Sequence, residues 1–279
     1  MQLKRKFQIS NGYLLEFDQL ARLLSFMSNK PSVKRIRRKE LAENTGLSSR
    51  QIASLVSVGR AIRLIQRGKQ TLSPVGTLIA KYDIFIEAKG TLEWCHYSAA
   101  GSYRNLLWYE IFNSLLPNGQ PMAQEGWMKY LRDAFAGQYT DRTIGKHLRE
   151  EVRFVVDAYL NRNFKKLELL HQTSDGRLYA RRYITIDPLV FSSILYDYAD
   201  KRETKLLQVM ALTDRPGSPG RLFAMDDPTI RKVVEQLHEK GWVRYEGTHN
   251  LDQIRLREGF TALEFLKAYY EDREPCQEP

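Results

Sequence analysis

KRIRRKELAENTGLSSRQIASL, residues 34–55, decides how this chain is read. Lys34, Arg35, Arg37, Arg38 and Lys39 lead into a short helix expected from about Arg38, with Leu41 and Ala42 as its apolar positions. Gly46 follows where a left-handed residue ends such a helix. Ser48 is then placed to cap a second helix, with Gln51 three positions on, the spacing of a capping box. On that second helix Ile52, Leu55, Val56 and Gly59 share one face, and Arg50, Ser54 and Ser57 the opposite one. The pattern is that of a helix-turn-helix, whose second helix turns its polar face to the major groove of DNA. Just beyond it, LIQRGKQTLSPVG (64–76) reads as two short extended pieces around Arg67, Gly68 and Lys69, a wing suited to touching the phosphate backbone.

A cationic run on a helix is ordinarily a solvated face, so the placement of charge over the whole chain matters. The 279 residues carry a net charge of +10. Residues 1–70 hold 15 Lys or Arg against 4 Asp or Glu, whereas the remainder holds 28 against 29. The excess therefore sits in the first quarter, where Lys4, Arg5, Lys6, Arg60, Arg63, Arg67 and Lys69 join the basic block. Clustered cations of this kind concentrate a polyanion and release its counterions on binding. The composition, 43% hydrophobic and 27% charged, is that of a globular protein. No long apolar run or signal-like segment stands out, so a cytoplasmic protein without a membrane span is expected. Cys95 and Cys276 are too few for a disulfide framework or a zinc cage.

Two later segments repeat the helix plan. In residues 127–160 one helix ends near Gly137 and a longer one starts after Thr140 or Asp141, with Ile144, Leu148, Val152, Val155, Val156 and Tyr159 as its apolar stripe. In residues 226–257 a helix capped by Asp227, with Pro228 at its first position, precedes a hairpin: WVRY, a turn around Gly247 to Asn250, and DQIRL. TLEWCHY (91–97) and NLLWYEIFNSLL (105–116) read as core helices. The expected fold is mainly α, with winged helix-turn-helix units at both ends joined by a helical middle and carrying small β wings. Its boundaries fall at 1–75 for the basic N-terminal unit, 76–200 for the middle, 201–271 for the C-terminal unit and 272–279 for a tail.

Metal-assisted phosphodiester cleavage needs converging carboxylates, sometimes with His, to hold a cation and orient water. The candidates are Asp83, Glu87, Glu93 and His96; His147, Glu150 and Glu151; and Asp226 with Asp227. Asp83, Glu93, His96, Glu150 and Glu151 are carried forward as catalytic candidates, with Mg²⁺ or Mn²⁺ as the implied cofactor if the protein cuts. Such spacings are common in charged helices, where the side chains simply face solvent or cap. No nucleotide loop, dinucleotide fingerprint, zincin motif or nucleophile elbow is present. In GSPGR (217–221) Arg221 is a candidate phosphate ligand, or a partner for Asp214 or Asp226.

DIFIEAKGTLEWCH (83–96), NLLWYEIFNSLL and GSPGRLFAMDDPTIRKVVEQL (217–237) resemble motifs of a prokaryotic family, domain of unknown function 4007. The matching residues are Asp83, Thr91, Leu92, His96, Trp108, Tyr109, Phe112 and Asn113, then Ser218, Pro219, Gly220, Arg221 and Phe223, within about residues 40–257. Members often open with a G-H-E-T-F segment, absent here, and Glu93 replaces a usual aromatic, so roles of that His-Glu pair do not transfer. The resemblance implies membership of a DNA phosphorothioate modification and antiviral defence system beside sulfur-transfer and cysteine desulfurase proteins. In one branch the corresponding subunit is a nickase that admits sulfur to the backbone.

Three functions stay open: a duplex DNA-binding adaptor, a metal-dependent nickase, and a transcriptional regulator acting as a homodimer. In each, Arg50, Ser54 and Ser57 are expected at bases. Lys34, Arg35, Arg37, Arg38, Lys39, Arg67, Lys69 and Arg221 are expected at phosphates.

Overall fold

The computed structural model describes residues 5–30, 36–248 and 251–275. Lys4, Lys34, Arg35, Cys276 and the hairpin turn at 249–250 lie outside the described residues. The chain divides into two compact units, residues 1–181 and 182–279. Both are mainly helical with small antiparallel sheets.

The first unit opens with an irregular strap, residues 5–12, followed by α1 (Phe17–Ser28), α2 (Arg38–Thr45) and α3 (Ser49–Ala61). α2 stops because Gly46 takes φ 69° and its N–H closes onto the Ala42 carbonyl. α3 starts because Ser48 and Gln51 bond reciprocally across its first turn, the capping box expected from the spacing. Ile52, Leu55, Val56 and Gly59 are buried, as their shared face predicts. Beyond α3 a single antiparallel bridge joins Ile65 to Leu72, with Arg67, Gly68 and Lys69 exposed at its turn.

Next come α4 (Pro74–Tyr82), capped by Ser73, and α5 (Lys89–Ala100), which is buried on every side from Gly90 to Ala100. A helix buried on every side belongs at the centre of a core, and α5 occupies that place although it carries Thr91, Glu93, His96 and Ser98. α6 (Leu106–Glu110) runs into a π-helical turn, Ile111–Leu115. α7 (Gln124–Phe135) and α8 (Asp141–Leu160) follow, α8 capped by the Thr140 hydroxyl. A hairpin of β1 (Leu170–Gln172) and β2 (Leu178–Ala180) closes the unit. Trp108, Phe112, Phe154, Tyr159 and Phe164, from α6, α8 and the turns that follow each, meet edge-on, tilted or stacked. Burying a ring such as Trp108 fully contributes about 3 kcal/mol, so this cluster is the unit's main anchor.

The second unit contains α9 (Pro188–Asp200), β3 (Leu206–Gln208), α10 (Val209–Asp214), α11 (Pro219–Leu222), α12 (Asp227–Glu239), β4 (Val243–Thr248), β5 (Leu251–Leu256) and α13 (Ala262–Glu271). The hairpin of β4 and β5 expected from the sequence is present, and β3 adds a third strand in the order β3-β5-β4. β3 is only three residues long, with one buried residue between two exposed ones, too little periodicity to stand out in the sequence. Residues 188–200, which in the sequence read as the end of the middle stretch, pack here against α13, where Ser193 Oγ donates to the Ala262 carbonyl at 2.5 Å. The α12 cap lies one residue earlier than expected. Asp226, not Asp227, accepts the Thr229 N–H, which makes Asp227 the first helical residue and Pro228 the second. Gly220 is required where α11 crosses α10, because a Cβ there stands 2.5 Å from the Leu212 carbonyl oxygen.

Candidate nucleic-acid interface

Six cations converge on one side of the first unit. The strap carries Lys6 in a parallel bridge with Asn105: Lys6 N–H donates to the Arg104 carbonyl at 2.7 Å, and Leu106 N–H returns to the Lys6 carbonyl at 3.2 Å. Arg104 is thereby held beside α3 and its following turn. Arg67 feels the positive charge of Arg104, Arg60 and Arg63, and Arg60 that of Arg38. Burial, then this mutual repulsion, lowers the proton affinity of Arg60 and Arg67. Much of the Lys6 side chain meets solvent, but its ammonium end is withdrawn against the buried Ser57 hydroxyl. Burial first, then repulsion from Arg60, holds that ammonium below the usual lysine range. Glu151 opposes the shift and Arg104 and Arg67 add to it. Among the described residues, no carboxylate lies within 4 Å of Lys6, Arg38, Arg60, Arg67 or Arg104. Cations crowded at mutual cost on an open surface are poised for an anion from outside.

The strap is fixed by one buried carboxylate. Glu151, on the inward face of α8 and 2% exposed, accepts Ile9 N–H at 3.0 Å, Ser10 N–H at 3.0 Å and the Ser10 hydroxyl at 2.6 Å. Burial raises its proton affinity, and these three donors, with Lys6, oppose the rise. Ser10 in turn accepts Ser54 Oγ–H at its carbonyl, 2.5 Å away. Glu151 thus links the strap to α8 and, through Ser10, to α3.

That packing corrects part of the sequence expectation. Ser54 and Ser57, expected on an open face of α3, are 3% and 5% exposed and lie under the strap. Their hydroxyls bind Ser10 and Lys6 and cannot reach a base. On α3 only Ser49 and Arg50, in the first turn, are fully exposed, with Arg60 half-buried at the far end. Arg37, Arg38 and Lys39 are exposed at the start of α2, where Lys39 pairs with Glu43 at 3.7 Å. Arg67 and Lys69 are exposed at the turn after α3. Arg5 is committed elsewhere, paired with Glu110 at 2.7 Å and stacked 4.0 Å over the Tyr103 ring. Arg104, in the stretch that reads as the helical middle, is the member the sequence did not offer.

The catalytic candidates do not assemble. Glu93 and His96 are 1% and 0% exposed in the core. Trp108 Nε1–H donates to the Tyr159 hydroxyl oxygen at 3.2 Å, and that hydroxyl also shares a hydrogen bond of 2.6 Å with His96 Nδ1. His96 is thus enclosed in the core with an aromatic partner. Asp83 uses both oxygens on the backbone before α5, accepting Glu87 N–H at 3.0 Å and Ala88 N–H at 2.9 Å. Glu150 points to solvent while its neighbour Glu151 holds the strap. Asp226 caps α12 and pairs with Arg182 at 2.7 Å, and Asp227 accepts the Thr213 hydroxyl. Among the described residues no three His, Cys, Asp or Glu side chains converge as metal ligands. Cys95 is fully buried and its thiol is pushed up by that burial, then by Asp83, so it is no nucleophile. Arg221 follows a buried Ser-Pro-Gly turn and is half-buried.

The chain belongs to the family of proteins of unknown function DUF4007, which matches residues 52–270. Its fold is similar to that of SspB, seen in two crystal structures, one of them with a bound magnesium ion. Each has a TM-score of 0.74 at 14% identity and covers 96% of this chain and 88% of SspB. No curated protein matches the chain. Among the described residues no helix is long and apolar enough to cross a membrane.

Proposed function

We propose that this protein is a duplex DNA-binding subunit of a phosphorothioate modification and defence system, in which the first unit grips the phosphate backbone. The observation that carries it is the cluster of Lys6, Arg38, Arg60, Arg67 and Arg104, which repel one another and have no carboxylate partner among the described residues. Membership of DUF4007 and the fold likeness to SspB support the setting, with sulfur-transfer and cysteine desulfurase proteins as partners. On this view α2, α3 and the bridged turn form a winged helix-turn-helix. Arg50 on the open first turn of α3 meets a base edge, and Arg37, Arg38, Arg67 and Lys69 meet phosphates. Lys34 and Arg35 extend the same grip, and Arg221 adds a contact from the second unit. SspB holds magnesium in one crystal structure, and no cutting step is assigned to this chain.

Salt-dependent binding tests it. Fluorescence anisotropy with a short labelled duplex is expected to give log K falling steeply with log salt. The triple variant R60A/R67A/R104A should flatten that slope by about 0.9 for each phosphate that is no longer neutralised. Arg50→Ala should instead cost about 1–3 kcal/mol on a preferred sequence and leave the slope nearly intact. A slope unchanged in the triple variant rejects the interface.

A further inference from the structure

The second unit carries a cationic notch that its pairing pattern does not consume. Arg244 on β4 stands directly opposite Arg255 on β5. Like charges opposed across an antiparallel pair destabilise a sheet. Both side chains lie on the outer face, exposed, so packing does not account for the choice. Arg257, two residues beyond Arg255, keeps to that side. Lys205 is tied in by its carbonyl, which accepts Leu256 N–H at 2.9 Å. These four cations, with Leu256 and Glu258, line an open concavity of about 480 Å³. Two carboxylates neutralise it only in part. Glu246 binds Arg244 at 2.8 Å and Gln253 at 2.7 Å, and Glu258 binds Lys205 at 2.7 Å. Arg255 and Arg257 make no ion pair among the described residues.

We propose that this notch is a second phosphate-binding site, which takes the phosphodiester backbone of a nucleic acid. Guanidinium forks match phosphate oxygens, and three guanidiniums spread over two strands suit successive groups of a backbone better than one isolated anion. The next row of the same face, Gln208, Gln253 and Glu246, is polar, with Leu206 the apolar residue beside Arg255. A protein partner needs a buried apolar or aromatic anchor, and this row offers no pocket for one. A backbone needs only cations and amides, which Arg255, Arg257, Gln208 and Gln253 provide together.

The ligand is shared with the function proposed above but the residues are not, so the two fail separately. In the full-length chain, R244A/R255A/R257A is expected to weaken duplex binding and to flatten the salt slope by about 2–3. The same triple change on the R60A/R67A/R104A background should lower the remaining salt slope by a similar further amount. R255K/R257K should restore much of the slope, because an ammonium still neutralises a phosphate, and circular dichroism should be unaltered throughout. An unchanged slope in both backgrounds overturns the notch and leaves the first unit's role standing. If the notch variants bind duplex normally but lose binding to polyglutamate, the face belongs to an acidic protein and the proposal is overturned.

Discussion

α3 and α12 occupy equivalent places in the two units, each a capped helix followed by an antiparallel turn or hairpin, but their charges are handled in opposite ways. Around α3, Lys6, Arg38, Arg60, Arg67 and Arg104 face one another without an acid to separate them. On α12, Arg231 is held by Asp252 of β5 through two nitrogens at 2.6 and 3.1 Å, with Asp227 at 3.9 Å. The Tyr245 hydroxyl donates to the other Asp252 oxygen at 2.8 Å. The composition follows the same line: residues 1–181 hold 29 Lys or Arg against 16 Asp or Glu, and residues 182–279 hold 14 against 17. A capped helix followed by an antiparallel turn or hairpin therefore does not fix how the charge beside it is balanced. What distinguishes the two helices is whether the protein supplies its own counterion.

The comparison breaks most severely at Glu151. Glu151→Ala leaves Ile9 N–H, Ser10 N–H and the Ser10 hydroxyl without their acceptor. It is expected to destabilise the first unit by about 3 kcal/mol and to lower duplex affinity, since Lys6 and Arg104 are positioned by the strap. Glu151→Gln keeps one acceptor oxygen and should fall between. Denaturant midpoints and anisotropy measure the two effects, and wild-type values for both in the Ala variant refute the strap's role. A smaller effect is expected at Asp252. Asp252→Asn frees Arg231 and so makes α12 more like α3. Duplex affinity should rise by up to about tenfold, or 1.4 kcal/mol, while stability changes by less than about 1 kcal/mol, as for exposed pairs. If affinity does not rise, self-pairing is not what sets α12 apart.

Local chemistry is legible in the sequence where a few adjacent residues decide it. Gly46, Ser48 and Gln51 fix the end of α2 and the start of α3 without help from elsewhere, and the stripe on α8 from Ile144 to Tyr159 fixes its buried side. The interface is legible only in its net charge. Ser54 and Ser57 share a face with Arg50 by helical spacing, yet an irregular strap more than forty residues earlier covers them. Arg104 joins the cluster through a bridge of Lys6 with Asn105, a pairing with no periodic signature. The carboxylate that secures the strap lies 141 residues from Ser10, and in the sequence it reads as half of a possible metal pair. Burial explains the difference: a helix pattern shows that Glu151 adjoins the apolar stripe, but not which donors it meets there.

The cap of α12 is the finest point of the comparison, because α3 is capped by a neutral serine and α12 by a charged aspartate. Asp226 accepts Thr229 N–H at 3.1 Å and pairs with Arg182 at 2.7 Å. Its carboxyl is held below its ordinary value of 3.8, chiefly by the Thr229 hydroxyl, with the Thr229 N–H and Arg182 adding to the effect against a small opposing cost of burial. The folded-state pKa lies below the unfolded one, so this contribution is present above pH 3.8 and is lost as the pH falls through the folded value. Asp226→Ala is expected to cost the second unit about 1 kcal/mol at neutral pH, and less as acid protonates the wild-type carboxyl. Asp226→Asn, which still caps, should cost a few tenths of that and show no such convergence. Ser48→Ala in α3 should cost a similar amount at every pH, because a hydroxyl cap does not titrate in this range. Thermal melts of the three variants across pH 3 to 7 separate the two caps, and a pH-independent loss in Asp226→Ala would show that the charge on Asp226 adds nothing to its hydrogen bonds.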